Sequence, residues 1–236
     1  MVNDLLVSAR VGDVRALGKL LTLVTADPNI INEFELEPKS KTIGITGSPG
    51  VGKSTLTNAL IAQLVADGKK VAVLAVDPSS PITGGALLGD RIRMQTHATN
   101  PNVYIRSVSA GGHLGGLAKS ASAQIKLLSS LYFDYVLIET VGVGQNEVEI
   151  ASVAQTVLVV VAPGMGDAIQ AAKAGVFEIA DIFVVNKSDR DGADGTVSEI
   201  NAMLEMSSMA HKPPVVKTIS TTGVGVADLL NTISAL

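Results

Sequence analysis

Short apolar runs alternate with amphipathic segments along this chain from Lys41 to its end. Runs rich in valine, isoleucine and leucine are typical of strands that are buried on both faces of a parallel sheet. We predict strands at 41–46, 70–76, 103–108, 135–139, 156–162, 182–186 and 215–220. Helices are predicted at 53–66, 88–97, 117–130, 146–152, 168–175, 196–209 and 226–235. This alternation predicts an α/β fold with a doubly wound, mostly parallel sheet.

The N-terminal segment follows a different pattern. Apolar residues recur at helical spacing from Leu6 to Val24, and Gly12-Asp13 could divide this run in two. We therefore predict one or two helices packed beside the main domain, followed by a connector. The predicted organisation is an N-terminal helical extension at 1–38 and a main domain at 39–236.

A glycine-rich motif opens the main domain. Residues 47–54 read Gly-Ser-Pro-Gly-Val-Gly-Lys-Ser and match G-x-x-x-x-G-K-[ST], between a predicted strand and a predicted helix. In that context the backbone N–H groups of the turn and the helix N-terminus bind phosphate oxygens. Lys53 would place a positive charge near the β- and γ-phosphates, and the Ser54 hydroxyl would face Mg²⁺. The predicted binding residues are Gly47, Pro49, Gly50, Val51, Gly52, Lys53, Ser54 and Thr55.

A second motif, Asn-Lys-Ser-Asp at 186–189, follows a predicted buried strand. In open α/β sheets, ligands bind at the carboxyl ends of the strands. The Asp189 carboxylate can accept hydrogen bonds from N1–H and from the N2 amino group of guanine, whereas adenine offers no such pair of donors. Asn186 is predicted to tie loops together, and the stem of Lys187 to lie over the base. Together with the phosphate-binding motif, this motif predicts GTP as the ligand.

Acidic residues stand where a metal ion would accompany the phosphates. Asp77 and Glu139 end predicted strands, and such carboxylates hold Mg²⁺ directly or through water. Most P-loop proteins carry Asp at the position of Glu139, so we expect its contact to pass through water. Gly142 would let its backbone approach the γ-phosphate. Asp90 is a further candidate from a loop, although Asp77 and Asp90 could also be turn or helix-capping residues.

Composition narrows the possible functions. The 236 residues suit one α/β domain with an appendage. A net charge of -4 gives no basic footprint for nucleic acid, and the absence of cysteine excludes disulfides and thiolate metal sites. Mean hydropathy is +0.38, yet the apolar runs are too short to span a bilayer. No signal-peptide pattern is present. We predict a cytoplasmic protein that binds neither nucleic acid nor membranes.

Several longer strings resemble those of the MeaB family of GTPases, which includes ArgK and the human methylmalonic aciduria type A protein. They are Val-Asp-Pro-Ser-Ser-Pro (76–81), Leu-Gly-Asp-Arg-Ile-Arg-Met (88–94), Glu-Thr-Val-Gly-Val-Gly-Gln (139–145) and Pro-Gly-Met-Gly-Asp (163–167). The resemblance covers nearly the whole chain. It implies a P-loop NTPase of the signal-recognition-particle and MinD-like class. It also implies a chaperone of adenosylcobalamin-dependent acyl-CoA mutases, such as methylmalonyl-CoA mutase.

The same resemblance implies roles for particular residues. The Mg²⁺ environment would consist of Ser54, Asp77, Asp90 and Glu139. Residues 164–173 would form the family's third switch, thought to relay the nucleotide state to the mutase, with Asp167, Gln170 and Lys173 as polar members. Ser220 and Thr221 stand where the family contacts guanine O6. Family members dimerise through a further C-terminal helical arm. Since this sequence ends at Leu236, we expect that either the arm is absent or the C-terminus is truncated, and we do not assume the homodimer.

The hydrolytic machinery that the sequence predicts is incomplete. Val143 occupies the place of a Ras-like water-positioning glutamine, and Gln145 lies two residues further on. Arg106 lies near a loop without a motif for an arginine finger. We expect slow hydrolysis without a partner, because a trans-acting group can be worth about 10³–10⁵ in rate. The candidate catalytic residues are Lys53, Asp90, Gln145, Gln170 and Lys173.

Two other functions stay open. A GTPase that delivers nickel would share this fold but would need thiolate or clustered imidazole ligands, and the three histidines are scattered at 97, 113 and 211. Alternatively, the chain could be a nucleotide-binding switch with negligible turnover, in which GTP only selects a conformation.

Overall fold

The computed structural model describes residues 2–77, 95–97, 99–109, 119–140, 149–164, 175–207, 209 and 211–236. Its seven strands are β1 (Lys41–Thr46), β2 (Val71–Asp77), β3 (Val103–Ser109), β4 (Tyr135–Thr140), β5 (Thr156–Val161), β6 (Ile182–Asn186) and β7 (Val215–Thr218). They form one sheet in the order β3-β2-β4-β1-β5-β6-β7, and every adjacent pair is parallel. The predicted α/β fold with a parallel sheet is confirmed.

The described helices cover both faces of this sheet. They are α1 (Val2–Arg10), α2 (Val14–Ala26), α3 (Lys53–Ala66), α4 (Lys119–Ser129), α5 (Ala193–Met206) and α6 (Val226–Ala235). Helices α3 and α6 share a core with Ile43 and Ile45 of β1. Helices α2, α4 and α5 share the opposite core with Ile138 and Val159. All residues of β5 and β6 are buried, which explains why these strands read as continuous apolar runs.

The N-terminal segment forms two helices, which was one of the two predicted options. The break falls at Gly12-Asp13, where the Asp13 carboxylate accepts hydrogen bonds from the backbone N–H groups of Arg15 and Ala16. This cap starts α2 and satisfies two of its first donors. Helix α2 buries Leu17, Leu20 and Leu21 in the same core as the sheet. The domain boundary between residues 38 and 39 stays a prediction.

Some element boundaries differ from the prediction. Helix α5 begins at Ala193, one turn earlier than expected, because Gly192 adopts a left-handed conformation and serves as its N-cap. Strand β7 ends at Thr218, because Ile219 turns back and forms an antiparallel bridge with Val224. Two predicted helices are described only in part. They contain the 3₁₀ turns Gln95–His97, within 88–97, and Ile150–Ser152, within 146–152, where the preceding Glu149 is helical; residues 88–94 and 146–148 lie outside the described residues. The predicted helix at 168–175 lies outside the described residues except for Gly175, which is in a turn.

Candidate functional site

The glycine-rich motif joins β1 to α3 at the carboxyl edge of the sheet. Strand β1 is the central strand and ends at Thr46, and α3 begins at Lys53, as predicted. Gly52 is the N-cap of α3, with φ 99°, and no side chain caps the helix. The first N–H groups of a helix have no intrahelical acceptors, so an uncapped N-terminus suits an anion.

Lys53 is buried inside this motif. Its Nζ donates to the carbonyl oxygens of Gly47 at 2.6 Å and Ser48 at 3.0 Å, and the residue is 7% exposed. Burying a cation is costly unless it is paired, so the loop carbonyls hold the ammonium in place. A phosphate oxygen bound in the loop would carry a negative charge, whereas the carbonyl oxygens carry only partial charge. The Lys53 ammonium would therefore make a stronger hydrogen bond to the phosphate than to the carbonyl oxygens.

The next residue along α3 contacts the neighbouring strand. Ser54 Oγ donates to Oε1 of Glu139 at 2.5 Å, and Glu139 is 4% exposed. Glu139 lies in β4, where its backbone pairs with Ile45 of β1. A hydroxyl and a carboxylate are hard oxygen ligands of the kind that Mg²⁺ prefers. The donor set therefore fits the ion that the sequence predicts.

The other predicted metal and switch residues are only partly described. Asp77 is the last residue of β2. It lies at the carboxyl edge of the sheet, near the end of β4, because the preceding residue, Val76, pairs with Thr140. The side chain of Asp77 is not among the described parts of the chain. Outside the described residues altogether are Asp90, Gly142, Gln145, Asp167, Gln170 and Lys173, and their roles stay predictions. Within the described ranges, no group of three or more His, Cys, Asp or Glu residues could hold a metal ion.

Asn186 connects three segments at the end of β6. Its Nδ2 donates to the carbonyl oxygen of Val51 at 2.9 Å, and its Oδ1 accepts from Ser220 Oγ at 2.6 Å and from Thr218 Oγ1 at 3.2 Å. The residue is 2% exposed, so this amide uses its polar atoms inside the protein. Sequence reasoning missed Thr218, because a threonine that ends a strand carries no motif.

Lys187 makes a second contact between the two motifs. Its φ is 57°, and among the described non-glycine residues it alone has a positive φ. Its Nζ donates to the carbonyl oxygen of Gly50 at 2.6 Å. Gly52 is needed at this junction, because a Cβ there would lie 2.4 Å from Asn186 Nδ2. The two motifs thus lie in direct contact, although 131 positions separate Thr55 from Asn186 in the sequence.

The residues predicted to meet guanine lie beside this junction. Asp189 is exposed and makes no hydrogen bond or ion pair with the described part of the chain. Ser220 is 7% exposed and its hydroxyl is engaged with Asn186, whereas Thr221 is exposed. Thr221 is therefore the more accessible of the two residues expected near guanine O6.

Arg106 is not placed to act as an arginine finger from a loop. It lies within β3, on the face that packs against α2, and its Nη2 donates to Thr25 Oγ1 at 3.2 Å. Helix α3, which follows the glycine-rich motif, packs on the opposite face of the sheet.

Comparison with known proteins extends this picture. Residues 23–236 match the model of the family described as "Methylmalonyl Co-A mutase-associated GTPase MeaB". The chain belongs to this family. It is accordingly a GTPase, and the predicted family membership is confirmed. A Pyrococcus horikoshii protein whose name describes it as a GTPase is 49% identical over 238 residues, which cover 97% of this chain and 75% of that protein.

More distant relatives agree with this assignment. GTPase ArgK of Escherichia coli is 46% identical over 149 residues, covering 63% of this chain and 45% of ArgK. A solved structure described as a LAO/AO transport system kinase superposes with a TM-score of 0.78 at 25% identity, covering 99% of this chain and 74% of that one. HypB from Helicobacter pylori, solved with nickel, has a TM-score of 0.62 at 17% identity over 91% of this chain and 94% of its own, a likeness of fold alone.

None of the helices in the described residues is both long enough and apolar enough to cross a bilayer.

Proposed function

We propose that this GTPase is a Mg²⁺-dependent chaperone whose GTP cycle gates the loading or protection of adenosylcobalamin in an acyl-CoA mutase such as methylmalonyl-CoA mutase. The binding of GTP in this proposal is supported by the direct contact between the two motifs. The side chains of Asn186 and Lys187 donate hydrogen bonds to the backbone carbonyl oxygens of Val51 and Gly50, respectively. Family membership supports a mutase as the partner. The proposal includes a cytoplasmic location and leaves the oligomeric state open.

Different described residues would bind the phosphates and the Mg²⁺ ion. Lys53 would pair with the β- and γ-phosphates, and the N-terminus of α3 would bind their oxygens. Ser54 would bind Mg²⁺ and Glu139 would hold it through water. The ion, when bound, neutralises charge that develops on the phosphates. The attacking water would be ordered by residues outside the described ranges, with Gln145 as the candidate.

Replacing Glu139 with alanine should separate binding from hydrolysis. The change removes the acceptor for the Ser54 hydroxyl and the predicted water-mediated hold on Mg²⁺. We expect the rate of GTP hydrolysis at saturating GTP to fall more than nucleotide affinity does, and the Mg²⁺ concentration for half-maximal rate to rise. A Mg²⁺ titration of phosphate release measures both. Glu199→Ala, which removes an exposed carboxylate from α5, is the matched control. A Mg²⁺ profile that equals that of the parent would remove Glu139 from the metal site.

Coupling to a mutase should act in both directions. A mutase that prefers one nucleotide state must change nucleotide affinity by the same factor by which the nucleotide changes mutase affinity. The third switch at 164–173 is the segment that the family resemblance assigns to this coupling. We propose that it reports to the mutase whether the γ-phosphate is present.

Lys173→Ala and Gln170→Ala should weaken this coupling and leave GTP binding unchanged. We expect the cognate mutase to alter kcat or nucleotide Kd of the parent by about 5- to 150-fold, the usual range of allosteric coupling, and the variants to lose most of that response. The measurement is kcat and nucleotide Kd with and without each candidate mutase. Lys126→Ala, an exposed lysine on α4, is the control. A parent that responds to none of the mutases would refute the mutase part of the proposal.

The two alternative functions predict other results. Nickel delivery would require metal binding, for which the sequence provides no thiolate because it contains no cysteine. The similarity to HypB concerns the fold alone and does not support nickel delivery by this protein. A binding switch with negligible turnover would release no phosphate even with a mutase present, so the same assay distinguishes it from the proposed chaperone.

A further inference from the structure

Thr218, the last residue of β7, contacts the Asn-Lys-Ser-Asp motif on both sides of Lys187. Its backbone lies beside Asn186 of β6 in the parallel register. Its Oγ1 donates to Oδ1 of Asn186 at 3.2 Å, and its carbonyl oxygen accepts from the backbone N–H of Ser188 at 3.1 Å. The residue has no exposed surface, so both hydrogen bonds are made inside the protein. One buried threonine therefore holds the residues before and after Lys187.

The conformation of Lys187 requires such support. Its φ of 57° lies in the left-handed region, which is costly for a residue that carries a Cβ. A conformation of this kind persists only where the surrounding structure fixes it. The hydrogen bonds of Thr218 to Asn186 and to Ser188 fix the two flanking residues. Asp189 follows Ser188 directly, so its placement depends on the same turn.

The Thr218 hydroxyl also helps to set which way the Asn186 amide faces. The Oδ1 atom of Asn186 accepts from Thr218 Oγ1, from the backbone N–H of Ser220 at 3.2 Å and from Ser220 Oγ at 2.6 Å. At the other end of the amide, Nδ2 donates to the carbonyl oxygen of Val51 in the glycine-rich motif at 2.9 Å. Turning the amide over would set two donors against each other at Ser220 and two acceptors at Val51. The donors around Oδ1 thus maintain the contact between the two motifs.

The start of α6 holds Thr218 in place from behind. Gly225, the N-cap of this helix, has φ 79°. A Cβ on Gly225 would lie 2.1 Å from the carbonyl oxygen of Lys217 and 3.2 Å from the Cα of Thr218. Directly after Thr218, the backbone N–H of Ile219 donates to the carbonyl oxygen of Val224 at 2.9 Å and closes the turn into the helix. Close backbone packing of this kind resists displacement, so Thr218 is a fixed point for the motif.

We propose that Thr218 is a positioning residue for guanine recognition. Its hydroxyl keeps the Asn-Lys-Ser-Asp motif in the geometry in which Asp189 meets the base. In this proposal Thr218 touches neither the base nor the phosphates, and it acts through Asn186 and Ser188. A site that selects its ligand by hydrogen bonds depends on the exact placement of its acceptors, so the hydroxyl contributes to selectivity as well as to affinity. The inference rests on the proposed binding of GTP and on the predicted contact of Asp189 with guanine.

Thr218→Val is the direct test, because it keeps the shape of the side chain and removes the hydroxyl. We expect the Kd for GDP to rise about 3- to 10-fold, within the usual effect of one neutral hydrogen bond inside a protein. The preference for GDP over inosine diphosphate, which lacks the N2 amino group, should fall at least about threefold, because a displaced Asp189 no longer accepts well from both guanine donors. Competition titrations against a fluorescent GDP on the full chain measure both quantities.

A pair of smaller variants isolates the hydroxyl. Thr218→Ser keeps the hydroxyl and loses a methyl group, so its Kd for GDP and its preference should stay within about twofold of the parent. Should Thr218→Val fail to fold, Thr218→Ala provides the second test, since it differs from Thr218→Ser only in the hydroxyl. We expect Thr218→Ala to show the raised Kd and the reduced preference. The rate of GTP hydrolysis at saturating GTP should stay within about twofold in the whole series, because Lys53 and Ser54 are untouched.

The matched control is Thr42→Val, which removes another buried threonine hydroxyl from a strand of the same sheet. Thr42 lies near the start of β1, away from the carboxyl edge, and its Oγ1 accepts from the backbone N–H of Gln155 at 2.9 Å. The variant should lower the melting temperature and leave the Kd for GDP and the preference unchanged.

Two results would overturn the inference. One is a Thr218→Val or Thr218→Ala protein that keeps the parent's preference for GDP over inosine diphosphate, even with a lower affinity. The other is a Thr218→Ser protein that loses as much preference as Thr218→Val, since the hydroxyl would then not be the cause. A parent that binds GDP and inosine diphosphate equally well would instead count against the predicted contact of Asp189 with guanine.

Discussion

Lys53→Ala should nearly abolish nucleotide binding and hydrolysis. The lysine is the buried cation of the glycine-rich motif, held by the carbonyl oxygens of Gly47 and Ser48. Removing one partner of a buried, charged hydrogen bond costs about 2–5 kcal/mol, which corresponds to about 30- to 4,000-fold in Kd. We expect the effect on GTP to exceed that on GDP, because the ammonium would lie between the β- and γ-phosphates.

Calorimetric titration with GDP and with a non-hydrolysable GTP analogue measures this loss. Lys41→Ala is the matched control, since it removes an exposed lysine from the opposite end of the same strand. It should leave both affinities unchanged. Nucleotide affinities of Lys53→Ala within about threefold of the parent would mean that the phosphates bind elsewhere, since such a change is under 1 kcal/mol.

The elements around the phosphate-binding motif could be predicted from sequence. Strand β1 and helix α3 have the predicted boundaries, because a buried apolar run and a glycine-lysine-serine turn mark both limits locally. The continuous apolar runs at β5 and β6 likewise indicated strands buried on both faces. Such signals are local, so the residues within each element suffice to reveal them.

The 3₁₀ turn at Ile150–Ser152 is a feature that the local pattern did not predict. We predicted a helix over 146–152; residues 146–148 lie outside the described part of the chain, and Glu149 is helical. Ile150 packs against Gly44, 106 positions earlier in the sequence. Tertiary contacts of this kind act beside helix propensity and leave no periodic signature in the sequence.

At the candidate site, too, the residues could be predicted from sequence but the contacts between their side chains could not. Motif spacing led to Lys53, Ser54, Asn186 and Glu139, all of which lie at the carboxyl edge of the sheet. It did not predict the direct hydrogen bond between Ser54 and Glu139, or the contacts of Lys53 with loop carbonyls. These contacts depend on distances between side chains, which a motif does not contain. The roles of Asp90, Gln145, Gln170 and Lys173 stay predictions.

Asp189→Asn should change the base that the protein prefers. The Asp189 carboxylate is exposed beside the junction of the two motifs and is predicted to accept hydrogen bonds from guanine N1–H and the N2 amino group. An asparagine amide replaces one of these acceptors with a donor, which faces the guanine amino group unfavourably. Xanthine carries a carbonyl oxygen where guanine carries that amino group, so it can accept from the new donor.

We expect GTP affinity to fall and xanthosine triphosphate affinity to rise, for a combined change in preference of at least about 1,000-fold. Sites that hydrogen-bond a specific group reject analogues that lack it by about 10⁴–10⁵, so this change is within reach of one side chain. Competition titrations with GTP, xanthosine triphosphate and ATP measure the preference. Asp191→Asn, an exposed carboxylate two positions away, has the same change in charge and should keep the preference for GTP. Equal affinity of the parent for GTP and ATP would contradict the assignment of Asp189 to the base, because its carboxylate selects guanine only if it meets both donors.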